Sequence, residues 1–101
     1  MLPREDFVFC IGYDGPIAVV DKQAKKKYGK LSTSELAQKG FFRAAYSSAV
    51  YSGSNDEKKI VAESYFGLQQ QINPVMPEID LIALDRLFGV FLVDVKRALY
   101  I

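Results

Sequence analysis

The chain has no histidine and no tryptophan, one cysteine and four prolines in 101 residues. Each shortage removes a class of answer. Without histidine there is no imidazole for general acid–base work, no serine–histidine relay and no histidine-ligated transition metal. A single thiol, Cys10, cannot close an internal disulfide, which fits a reducing compartment. It lies between Phe9 and Ile11 with no base beside it, and reads as a small buried hydrophobe. Gly12, Gly15 and Gly29 do not make a phosphate-cradling loop. The stretch "GYDG" at 12–15 has neither the spacing nor the following helix of such a motif. Carboxylates such as Asp80 and Asp85 read as helix-start and surface charges. The expectation is a non-catalytic chain with no metal and no cofactor.

Long uncharged runs are also missing. In the most apolar segment, 81–101, the longest run free of charge is seven residues, against about twenty for a membrane span. The opening "MLPREDF" lacks the basic region and apolar core of a secretion signal. A cytoplasmic protein without membrane contact is expected. Strong net charge is absent as well. Thirteen basic and twelve acidic residues leave +1, whereas dedicated nucleic-acid or membrane-surface proteins usually carry a marked basic excess. The charge is unevenly placed, however. Residues 1–50 hold eight Lys or Arg against five Asp or Glu, and residues 51–101 hold five against seven.

Half of the residues are hydrophobic and a quarter charged, which is globular composition. The length suits one domain, 1–101, that buries a core without staples. The pattern predicts an α+β fold: an N-terminal antiparallel β-hairpin against three to four helices, the longest at the C-terminus. Residues 7–20, "FVFCIGYDGPIAVV", are apolar on both sides of Asp14-Gly15, a strong hairpin signal. Pro16 lacks an N–H, so a turn closed on it fails, and a wider one over Gly12 to Pro16 is expected. Two strands alone are marginal, so helices must cover them or a third strand must join.

Short helices fill 21–53. Asp21 caps a stretch over Lys22–Tyr28 that stops at Gly29. Ser32 and Glu35 fit a capping box for a helix ending at Gly40, and "FFRAAYSSAVYS" runs to Gly53. Ser54 or Asn55 caps the helix over 55–72, with Val61, Tyr65, Leu68 and Ile72 as its apolar stripe. The segment 78–101 reads as one long apolar helix. Glu78, Asp85, Gly89 and Lys96 share a narrow polar face, and Leu84, Leu87, Phe88, Phe91, Leu92 and Val95 fall on a wide apolar arc that also holds Asp94. A buried carboxylate there needs a cation or a helix end.

Two functions compete on these residues. The first is a protein acting through protein–protein contacts, a homodimer built on the 78–101 helix with Leu84, Leu87, Phe88, Phe91, Leu92 and Val95 at the interface. The alternative is a nucleic-acid-binding or transcription-associated domain using Lys22, Lys25, Lys26, Lys27, Lys30, Lys39 and Arg43. Five of these lysines fall within positions 22–30, and residues 33–52 have the rhythm of a helix-turn-helix. That unit is poor in base readers, offering Arg43, Ser47 and Ser48. Of the lysines, only Lys22 and Lys26 align one helical turn apart, while Ala24 and Tyr28 turn inward.

Overall fold

A computed structural model describes residues 2–72, 86–90 and 95–101 of the chain. The chain enters in a short helix, α1 (Arg4–Val8), set up by Pro3 at its cap and by Glu5 and Asp6 in its first turn, where the helix dipole favours negative charge. Strand β1 (Cys10–Asp14) pairs antiparallel with β2 (Ile17–Val20). Helices α2 (Lys22–Tyr28), α3 (Thr33–Gln38), α4 (Phe42–Ser52) and α5 (Asn55–Ile72) follow. Residues 86–88 are helical, and the chain closes in β3 (Arg97–Tyr100). Among the described residues no helix is long and apolar enough to cross a membrane.

The class is α+β, with an N-terminal hairpin joined to packed helices, but three local expectations need correction. Phe7 and Val8 belong to α1 and not to a strand over 7–20. The Phe7 amide donates to the Pro3 carbonyl at 3.1 Å, and Phe7, Val8 and Phe9 are all buried. Three consecutive buried side chains suit a turn of helix between two layers better than the alternation of a strand. The hairpin turn is tight. Asp14 pairs with Ile17, leaving Gly15-Pro16 as the loop. Gly15 takes φ +60, a left-handed geometry open to glycine. Because Ile17 supplies the last turn position, the missing N–H of Pro16 costs nothing. Ile11 bulges out of the ladder and is exposed.

The third correction concerns the C-terminus. Residues 97–100 are not helical; they form β3, parallel to β2, with Ala98 beside Ala18 and Tyr100 beside Val20. Gly89 at φ +59 ends the helical residues 86–88. The central β2 thus gains the third strand that a lone hairpin needs. Glu78, Leu84, Asp85, Phe91, Leu92 and Asp94 lie outside the described residues. Leu87 is exposed, but Phe88 packs against Tyr46 and Tyr65, with ring centroids 5.5 and 5.8 Å apart, and Val95 is buried. The described members of the expected interface therefore do not share one exposed helical face.

The core lies where α1, β2 and the α3–α4–α5 layer meet. Ala18, Val20, Leu36, Tyr46 and Val61 have no exposed surface. Helix α4 is central, with residues Ala45 through Val50 all buried. Arg4 fastens α1 to this layer. Its guanidinium donates to the carbonyls of Gly29 and Leu31 at 3.1 and 2.7 Å, and to Ser48 Oγ at 2.9 and 3.2 Å. The chain of bonds continues from Ser48 to Thr33, at 2.7 Å, and from Thr33 to the Glu57 carboxylate. Thr33 has one hydroxyl proton, and a carboxylate only accepts, so Thr33 donates to Glu57 and Ser48 donates to Thr33.

Replacing Arg4 by Met leaves two carbonyls and a buried hydroxyl short of donors, so it should lower stability by about 2–4 kcal/mol. Urea denaturation is the check: the midpoint falls while the slope holds. A midpoint equal to that of the parent protein would show that the clamp is dispensable.

Candidate anion-binding site

Helix α2 forms where the sequence places it. Asp21 accepts from the Ala24 amide at 3.1 Å, and Gly29 follows the last turn. Ala24 and Tyr28 pack toward the core, so the opposite face of α2 carries lysines into solvent. That face borders a concavity of about 550 Å³ lined by Lys22, Lys25, Lys26 and Lys30, together with Glu5, Gly29 and Tyr100. Tyr100 arrives from the far end of the chain through the β2–β3 pairing. The Lys22 amide donates to the Ile101 carbonyl at 3.2 Å, which locks the start of α2 to β3.

Beside the concavity lies a buried carboxylate. Asp6 takes the Lys25 ammonium at 2.6 Å on one oxygen and the Tyr100 hydroxyl at 2.8 Å on the other. The same ammonium stands 4.6 Å from the centre of the Tyr100 ring, within cation–π range. The hydrogen bond to Asp6 holds the Lys25 pKa above its ordinary value, against the opposing effect of partial burial. Lys25 is thereby a structural cation, neutralised within the fold. Lys22, Lys26 and Lys30 are exposed, and they supply a local positive potential that the Glu5 carboxylate in the same wall partly offsets.

The other members of the expected basic set lie elsewhere. Lys27 is exposed on α2 but does not border the concavity. Lys39 borders a separate depression between α3 and α5. Arg43 donates to the Cys10 carbonyl at 3.0 Å. Two of the three base readers that the helix-turn-helix reading of 33–52 offers do not reach the surface. Helices α3 and α4 do follow one another in contact, but Ser47 and Ser48 are buried inside the domain. A recognition helix must present its side chains to a groove, and α4 spends most of its length in the core.

Two further hollows are less suited to an anion. One, of about 380 Å³, runs along Val8, Phe9, Ile11, Tyr28 and Phe41 and is chiefly apolar. The other, beside Cys10, Tyr13, Arg43 and Ser47, is only about 50 Å³. The Cys10 thiol is buried and donates to the Gly12 carbonyl at 3.1 Å. Among the described residues, no three His, Cys, Asp or Glu side chains converge as a metal site. The chain matches no family model, no curated protein and no solved structure, so its function has to be argued from this geometry.

Sequence reasoning found the lysines and the alignment of Lys22 with Lys26. It missed Tyr100, Asp6 and the neutralisation of Lys25. Residues 95–101, "VKRALYI", show no period-two alternation, so no local signal marks the strand that carries Tyr100.

The raised pKa of Lys25 fixes the sign of a pH dependence. Its ammonium binds its proton more tightly in the folded chain, so its contribution to stability is complete below 10.5, the ordinary lysine value, and fades as pH rises through the folded value. The stability gap between the parent protein and Lys25→Met should hold steady from neutral pH to about 10 and narrow above it. Urea titrations along that range provide the check. A gap that widens in alkali would count against the Asp6–Lys25 pair.

Proposed function

We propose that the protein is a non-catalytic nucleic-acid-binding protein that holds phosphates with Lys22, Lys26 and Lys30. The observation that supports this reading is the convergence of these lysines on one concavity. Lysine is a compact, strongly hydrated point charge that suits backbone phosphates. Neighbouring lysines on α2 also repel one another, and that repulsion is relieved when an anion binds. The reading drops the helix-turn-helix and keeps the basic segment. Three phosphate contacts predict a plot of log affinity against log salt with a slope of about −2 to −3. Fluorescence anisotropy of a labelled mixed-sequence oligonucleotide measures it. Replacing both Lys26 and Lys30 by Gln should flatten the slope by about 1.5–2. Binding that ignores salt, or a double variant with the parental slope, would refute the reading.

Self-association remains the second reading, with a different carrier. Ile101 donates to Val20 and accepts from Lys22, so in the parallel ladder it faces β2, and by alternation so do Leu99 and Arg97. The backbone groups of Ala98 and Tyr100 then point away from β2, at an edge without a further strand among the described residues. Leu99 on β3 and Ile101 just after it are both more than half exposed. An open edge with apolar side chains is a template for a second copy of the chain. Light scattering at high micromolar concentration should then return twice the chain mass, and Leu99→Lys should return it to one. A single-chain mass for the parent protein would remove this reading.

A further inference from the structure

The lysines alone do not distinguish one form of nucleic acid from another; the aromatic ring among them does. Tyr100 stands in the wall of the concavity and is 45% exposed as a residue. Its position is fixed from three sides. The backbone is registered against Val20, the hydroxyl is tied to Asp6 at 2.8 Å, and the Lys25 ammonium stands over one face of the ring, so a base has only the opposite face to stack on. An exposed tyrosine held this firmly offers a contact surface that loses little side-chain entropy when a flat group lands on it.

We propose that the concavity binds single-stranded nucleic acid, with an unpaired base stacked on Tyr100 and the adjoining phosphates on Lys22, Lys26 and Lys30. This rests on the nucleic-acid reading above and names the form of nucleic acid. Lys22 and Lys26 are one helical turn apart, about 6 Å along the axis, a step that an extended sugar–phosphate backbone can follow. A duplex keeps its bases paired and stacked inside, where a ring recessed among lysines cannot reach them. Among the described residues, α4, the helix that a helix-turn-helix would lay in a groove, has Ala45 through Val50 buried. A positively charged groove with an aromatic platform is the arrangement that single strands use, and it tolerates any sequence because every base has a π-face.

The test compares one labelled oligonucleotide of mixed sequence, single-stranded and annealed to its complement, by anisotropy at low salt. The single strand should bind at least about fivefold more tightly, and Tyr100→Leu should lose about 5- to 100-fold on the single strand alone. Tyr100→Phe keeps the ring and should keep the affinity to within about threefold, allowing for the lost hydroxyl tie. The chain has no tryptophan and six tyrosines, so tyrosine fluorescence gives a second readout. Single-strand binding should quench it in the parent protein, and the quench should shrink in Tyr100→Phe at equal saturation. This comparison does not depend on the more disruptive Leu variant folding. Equal binding of single strand and duplex, with the same quench in the parent and Tyr100→Phe, would overturn the stacking inference and leave the lysine reading standing. No binding of either form would overturn both.

Discussion

The architecture depends on one guanidinium. Arg4, at the start of a five-residue helix, is the cationic end of a chain of bonds that runs through the hydroxyls of Ser48 and Thr33 to the Glu57 carboxylate. The opposite charges are separated by two buried hydroxyls, and each oxygen in the series has its donor. A half-satisfied series of this kind would be worse than an apolar core, because each orphaned group carries its full desolvation cost. Complete, it specifies a single arrangement. It ties α1 to α4, α4 to the start of α3, and α3 to the first turn of α5. Two further N–H groups of Arg4 hold the Gly29 and Leu31 carbonyls, and so fix where the chain leaves α2.

Two residues further along α1, Asp6 organises the other side of the molecule. Its carboxylate gathers Lys25 from α2 and Tyr100 from β3. A buried carboxylate without partners would be expensive, so its presence requires both elements to be docked. The candidate site is therefore a consequence of folding and not of the lysine run alone. The concavity exists because Arg4 and Asp6, on one short helix, set α2 against the sheet. Lysines strung along 22–30 in an unfolded chain would have neither the Tyr100 wall nor a fixed spacing.

What the sequence made legible was local. The Asp21 cap, the reciprocal Ser32–Glu35 box, and the helix stops at Gly40 and Gly53 are each decided within four or five residues, and each is present. What it concealed was non-local. Phe7-Val8-Phe9 has strand composition, yet Phe7 and Val8 are helical and Phe9 caps them, because the three must face two layers at once. The segment ending in Ile101 has helical periodicity on paper, yet its last residues become a strand because β2 has an edge to fill. The hairpin turn is tighter than the expected span of Gly12 to Pro16, because Ile17 and not Pro16 takes the last turn position. The site divides in the same way. Lys22 and Lys26 follow from helical spacing, whereas Tyr100 stands 70 or more positions away from each lysine around it, and no local rule joins them.

The near-neutral total charge, which on composition weighs against a nucleic-acid role, constrains how such a role would work. At physiological ionic strength the field of an exposed charge is screened within about 8 Å. A net charge of +1 therefore provides little attraction at long range, and Lys25 contributes less than its formal charge because Asp6 neutralises it. What remains is a short-range field from Lys22, Lys26 and Lys30, strong only for a ligand already in the concavity. A protein relying on that field alone would bind weakly and release readily in salt. Contact with an exposed aromatic ring is insensitive to ionic strength and acts over the same few ångströms. On the proposed reading the two terms would complement each other: the lysines would orient a phosphate chain that has arrived, and Tyr100 would supply the part of the attraction that salt does not remove.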